Sequence, residues 1–257
     1  MEGQATLDTL ARADAETRLP RLGGMARPNG VVIVSERYWA FAGVDGSLRE
    51  GETTAPPRLL RRVPLVRGLM RLAAAIAPIV RKRGVVRARE RWFLIVAILG
   101  SFAFFLLPGR LELIAGLALI LVMLRWITRG RTLHLHGAEH RAIRAVEDRS
   151  AAAAWAGAVR PSRFAARCGT NFAALVLPVA MVFERVSPMP AAVIAVLSLG
   201  LTMELWTAIE GRTHRVARAF LLPGLALQRL TTREPTLDET QVALRAAASV
   251  LRRELES

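Results

Sequence analysis

Three of the four histidines of this chain fall within seven residues, in Leu133-His134-Leu135-His136-Gly137-Ala138-Glu139-His140. His136 and His140 are four apart, so on a helix both imidazoles project from one face and can chelate a single divalent ion. Glu139 beside them is then placed to act as general base on a metal-bound water. This is the H-x-x-E-H order of inverted zinc peptidases, although Gly137 weakens the helix on which the geometry depends. The competing reading is a solvated helix start with surface histidines.

A divalent metal, zinc being the first choice, needs a third ligand, and two residues offer one. Cys168, the only cysteine, stands in Arg167-Cys168-Gly169-Thr170 just before an apolar run, where a helix N-terminus favours thiolate. It reads as a ligand or a reactive thiol, or else as a small buried hydrophobe. Glu204 lies inside the last apolar run, where a carboxylate is costly enough to mark function by default. Its alternative is an ion pair with an arginine between helices. Glu210 is a substitute ligand or an interfacial charge, and His214, among Arg212, Arg215 and Arg218, reads as interfacial. Thr231, Thr232, Arg233 and Glu234 either hydrogen-bond into a site or form a solvated capping turn ahead of Pro235.

The elements that must position these residues follow from composition and patterning. Of 257 residues 53% are hydrophobic, and the mean hydropathy of +0.32 argues against an all-soluble domain. A single cysteine excludes a disulfide framework. The formal charge of +15 is carried almost wholly by arginine, since Lys82 is the only lysine.

Residues 1–22 read as a flexible, partly helical leader, so insertion is expected to be driven by internal apolar runs. Residues 23–62 hold a cytosolic β-hairpin, built from Val31–Val34 and Tyr38–Ala42 after an Arg27-Pro28-Asn29-Gly30 turn signal, and then a linker. Residues 63–91 are an interfacial amphipathic helix, with Arg67 and Arg71 on one face, followed by the basic cluster Arg81 to Arg91. Two transmembrane hairpins are expected at 92–128 and 171–210, each arm somewhat short for a span. Between them a cytosolic loop, 129–170, carries the histidine and cysteine motifs. The C-terminal region 211–257 ends in an amphipathic helix, Leu237 to Leu255, capped near Thr236 or Asp238. The fold class is therefore a mainly α membrane protein with about four transmembrane helices in two hairpins. Arginines cluster on one side of these crossings, which puts both termini and the central loop in the cytoplasm.

Taken in order, the words His136-Gly137-Ala138-Glu139-His140, Arg167-Cys168-Gly169-Thr170 and Leu230-Thr231-Thr232-Arg233-Glu234-Pro235 resemble those of the YqhQ-like bacterial membrane proteins. Pro64-Leu65-Val66-Arg67-Gly68 and Arg27-Pro28-Asn29-Gly30 resemble that family's N-terminal words, so the similarity runs from about residue 22 to residue 250. The resemblance implies a bacterial cytoplasmic membrane protein from a family of unknown function that is labelled a predicted metal-dependent enzyme. The family pattern has His-Pro ahead of Arg-Cys-Gly-Thr, where this chain has Ala165 and Ala166. A ligand set must then come from His136, His140, Cys168 and Glu204. The family's glycine-rich stretch with a glutamate is not matched cleanly around Arg21 to Ala26.

Two functions follow. One is a metal-dependent hydrolase at the cytoplasmic membrane face, with Glu139 catalytic and Arg167, Thr170, Thr232, Arg233 and Glu234 around the site. The other is a non-catalytic membrane scaffold that binds anionic lipid or a cytosolic partner. Expected partners are lipids with anionic headgroups and a second copy of the chain in a homo-oligomer. Dedicated nucleic-acid binding is not expected, because aromatic residues do not interleave with the arginines.

Overall fold

The computed structural model describes residues 2–53, 63–80, 130–166, 168–209 and 215–257, with isolated positions between 92 and 125. The expected basic cluster at 81–91 lies outside them, as do nearly all of the first hairpin at 92–128, Arg167, Glu210 and His214. The chain forms two compact units. One comprises Met1–Ala55, Thr128–Cys168 and Leu225–Ser257; the other comprises Pro56–Ile127 and Gly169–Gly224.

The first unit is built on a four-stranded antiparallel sheet in the order β1 (Gly23–Arg27), β2 (Gly30–Val34), β3 (Tyr38–Gly43), β4 (Leu48–Glu52). The expected hairpin is its centre, with Val31 opposite Ala42 and Ile33 opposite Ala40. The two outer strands were not expected. The glycines of β1 carry little strand propensity, and β4, read from sequence as linker, is charged along its length. That charge suits an exposed sheet edge and also attaches it to the last helix. Glu50 accepts from Ser249 at 2.5 Å and Arg252 at 3.0 Å, and Glu52 pairs with Arg253 at 3.3 Å.

Val31, Ile33, Ala40 and Ala42 form the covered face of the sheet and are buried. Two helices, α3 (Thr132–Glu147) and α8 (Leu237–Leu255), pack on the sheet and on each other. Their facing residues are small, with Ala138, Ala142 and Ala145 on α3 and Ala243, Ala246 and Ala247 on α8 all fully buried. This lets both backbones approach the strands closely. The expected Leu237–Leu255 helix is present, and of its two candidate caps Thr236 is the one used. Its hydroxyl accepts from Glu239 N–H while Glu239 accepts from Thr236 N–H, a reciprocal capping box. Of the N-terminal residues, read from sequence as a leader, most are helical. They form α1 (Glu2–Ala15), whose Leu10 and Ala13 are fully buried against α8 and the short helix α4 (Ala151–Trp155). The connecting stretch 129–170 contains α3 and α4.

In the second unit α2 (Val66–Val80) packs on α6 (Ala191–Ile209), which pairs with α5 (Gly169–Val186). Helix α7 (Arg215–Thr231) leads out of it. Gly68 and Gly200 set the close approach of α2 to α6: a Cβ on Gly68 would lie 2.4 Å from the Gly200 carbonyl oxygen. Among the described residues two helices, Gly169–Val186 and Ala192–Ile209, are long and apolar enough to cross a membrane. Both belong to the second expected hairpin; the first expected hairpin lies almost wholly outside the described residues. Leu175 and Ile194 are buried in this unit, and so are two hydroxyl side chains. Ser198 and Thr202 are 0% exposed, whereas Met181, Val182, Val186, Val193 and Val196 face outward.

Candidate metal centre

Helix α3 brings His136 and His140 onto one face, with ring centroids 4.4 Å apart. The 161–168 segment supplies Cys168, and the end of α7 passes alongside. The ligand atoms of His136, His140 and Cys168 all lie within 4.8 Å of one another. Tetrahedral zinc with Zn–N near 2.0 Å and Zn–S near 2.3 Å requires ligand separations of roughly 3.3–3.6 Å. His136 Nε2 and Cys168 Sγ are already 3.3 Å apart.

Each imidazole is oriented by a backbone carbonyl. His136 Nδ1 donates to Thr231 O at 2.9 Å, and His140 Nδ1 donates to Arg163 O at 2.6 Å. A carbonyl can only accept, so both Nδ1 atoms carry the proton and both Nε2 atoms carry the lone pair. That is how protein scaffolds prepare a histidine to ligate metal through Nε2. Burial pushes the pKa of His136 down, and burial together with the neighbouring His136 takes that of His140 down to about 3. Both rings are therefore neutral at physiological pH. His140 is 2% exposed, and its Nε2 has no hydrogen-bond partner among the described residues. A buried, unsatisfied lone pair costs about 1–3 kcal/mol, and a cation at this point would satisfy it.

The surrounding contacts explain residues that sequence left ambiguous. Gly137 is required because the chain after α7 crosses α3 there: a Cβ would lie 2.2 Å from Arg233 O. Arg233 N–H donates to Leu133 O at 2.9 Å, which fixes the crossing. Thr232 is buried and closes α7 by donating to Gln228 O at 2.6 Å. Arg141, the residue after His140, ties two segments to α3. It donates to Pro161 O at 3.0 Å and to Glu234 at 2.5 Å, and its guanidinium holds the Glu234 carboxyl below the usual range. Thr231 through Glu234 thus serve the site largely through backbone and latch contacts, while the Arg233 side chain is exposed.

Two expected site residues stand elsewhere. Glu139 is turned to the sheet, where it accepts from Ala26 N–H, and Gly24 makes room for it: a Cβ there would come within 2.7 Å of the carboxyl. Burial pushes its pKa up to about 8. It is not among the converging ligand atoms, so the peptidase-like geometry of a glutamate facing the metal is not reproduced. Glu204, on α6 in the second unit, pairs with Arg67 of α2, with Arg67 Nε 2.9 Å from Oε1. This is the ion-pair alternative; the third ligand atom in the group is the Cys168 sulfur.

Sequence reasoning assigned no role to Arg141 or Gln228, or to the carbonyls of Arg163 and Thr231. The one available signal for Gln228 was an amide set in the otherwise apolar run Leu225-Ala226-Leu227. Residue 165, where the resemblance implies an imidazole, contributes its backbone: Ala165 N–H and C=O both pair with the Gln228 side chain.

No curated protein and no solved structure matches the chain. Residues 87–253, more than half of it and including all three clustered ligands, match the model of the family described as a protein of unknown function (DUF1385), and the chain belongs to that family.

Proposed function

We propose that this chain is a membrane-anchored metalloprotein whose His136, His140 and Cys168 bind zinc, and that it works as a metal-dependent hydrolase at the cytoplasmic membrane face. The observation that carries the metal reading is His140 Nε2, buried without a partner and grouped with His136 Nε2 and Cys168 Sγ. Two imidazoles and one thiolate form a borderline-soft donor set that suits zinc better than the hard cations magnesium or calcium. Zinc held by His136, His140 and Cys168 would supply a Lewis acid that activates water for hydrolysis. The chain's own residues keep both histidines neutral and fix their tautomers through Thr231 and Arg163.

The membrane reading is supported by two apolar helices of spanning length and by the outward-facing valines of α5 and α6. Cys168 immediately precedes α5 in the chain, so a site containing it is tethered to the start of an apolar helix. Anionic lipid headgroups are the partners expected for the arginines that flank these helices.

The test is elemental mass spectrometry of detergent-purified protein, resupplied with zinc, manganese and iron, beside His136→Ala and His140→Ala. Near-stoichiometric metal in the parent, lost from both variants, supports the reading. A folded parent with no more metal than the variants refutes it.

A further inference from the structure

The backbone ahead of Cys168 is gripped at Ala165 by a side chain from α7. Gln228, on α7, is 0% exposed. Its Oε1 accepts from Ala165 N–H at 2.9 Å and its Nε2 donates to Ala165 O at 2.7 Å. This paired geometry imitates one rung of a β-ladder and fixes both the position and the direction of the backbone at residue 165. Two residues before it is the Arg163 carbonyl, which orients His140; three residues after it is the Cys168 sulfur. One helical turn beyond Gln228 is the Thr231 carbonyl, which orients His136. Gln228 O also accepts from Thr232 N–H at 2.8 Å and Thr232 Oγ1 at 2.6 Å, fixing the chain end from which that carbonyl projects.

We infer that Gln228 is a positioning residue of the metal centre: by holding the backbone at Ala165, its amide keeps the Arg163 carbonyl and Cys168 where the thiolate meets the two imidazoles. This rests on the metal reading above and adds a residue that touches no ligand atom. Groups that hold metal ligands from outside the coordination sphere cost about 10–100-fold in metal affinity when removed. The effect here should fall mainly on the cysteine, because His136 and His140 share a helix that Gln228 does not build.

The experiment uses the full chain in detergent, stripped of metal and titrated with Co(II), comparing the parent with Gln228→Met and Gln228→Glu. Methionine keeps the length and volume without the hydrogen bonds. Glutamate keeps the acceptor for Ala165 N–H but loses the donor to Ala165 O. The parent is expected to show a thiolate-to-cobalt charge-transfer band together with ligand-field bands. In Gln228→Met affinity should fall about 10–100-fold, with the charge-transfer band weakened more than the ligand-field bands. Glutamate should give no recovery. A role in general stability alone would lower the unfolding temperature without changing the ratio of the bands. If folded Gln228→Met binds Co(II) within twofold of the parent with an unchanged spectrum, the positioning role is wrong while the metal centre stands. If the parent itself binds no cobalt, both fail together.

Discussion

Gly137→Ala sets local propensity against tertiary structure with opposite signs. Gly137 lies inside α3, where alanine is favoured over glycine by about 1 kcal/mol, so helix propensity alone makes this a stabilising change. The structure reverses the sign. The new Cβ would lie 2.2 Å from Arg233 O and 3.2 Å from Pro235 Cδ, so the crossing chain must retreat by about 1 Å to reach van der Waals contact. Overpacking of this kind costs about 1–3 kcal/mol. The retreat also stretches the 2.9 Å Arg233 N–H to Leu133 O bond, worth about 1 kcal/mol. After subtracting the propensity gain, a net loss of about 1–3 kcal/mol is expected. Denaturant unfolding of the metal-free protein in detergent, followed by circular dichroism, should show a lower midpoint for the variant. The same shift moves Thr231 O relative to His136, so zinc affinity should fall as well. A variant as stable as the parent, or more so, would refute the crossing-chain account of this glycine.

Glu204→Gln should retain full metal content, because Glu204 pairs with Arg67; loss of metal by elemental mass spectrometry would return it to the ligand set. Cys168→Ala should abolish stoichiometric zinc while leaving the far-ultraviolet spectrum unchanged. For Glu139 the folded pKa of about 8 lies above the ordinary carboxyl value of 4.5, so burial favours the protonated form and native stability falls as pH rises between those values. Metal-free Glu139→Gln should therefore gain on the parent across that window, read from unfolding midpoints at stepped pH; a difference independent of pH counts against the buried, protonated carboxyl. Thr236→Ala should cost about 1 kcal/mol of unfolding free energy by opening the capping box of α8, and a neutral result would show that the cap is not needed.

The parts of this molecule that were legible in sequence are those written in side-chain periodicity. The i, i+4 spacing of His136 and His140, the amphipathic run Leu237–Leu255 and the apolar arms on either side of residues 187–190 depend only on which side chains recur at helical spacing. What escaped depends on backbone atoms or on partners far along the chain. The carbonyls of Thr231 and Arg163 orient the imidazoles, but every residue has a carbonyl, so no residue type announces the role. Gly137 was read as a weakness in a helix because the strand of chain crossing it comes from residues 233–235. Strands β1 and β4 fail a propensity test because their residues are selected for contact with other elements: Gly24 for the Glu139 carboxyl, and Glu50 and Glu52 for α8. Glu204 was legible as a costly carboxylate, but its cost is met by Arg67, 137 positions earlier.

The two units of the chain distribute their apolar side chains differently. The first obeys the rule for water: Leu10, Ile33, Leu244 and Leu251 are fully buried, and charged latches such as Arg37 with Glu254 lie at the surface. In the second, Ser198 and Thr202 take interior positions while Met181, Val182, Val186, Val193 and Val196 on α5 and α6 face outward. Burying a valine or methionine contributes about 1.5–3 kcal/mol. Leaving five of them in water would forgo on the order of 10 kcal/mol, comparable with the net stability of a whole domain. In hydrocarbon nothing would be forgone, because the surroundings would be as apolar as the side chains, and the close approach of Gly68 to Gly200 would supply packing of the kind that holds helices together there. Helix length and composition alone do not separate a membrane span from the core helix of a soluble protein. The outward-facing side chains of α5 and α6 are the observation on which the membrane reading proposed above rests.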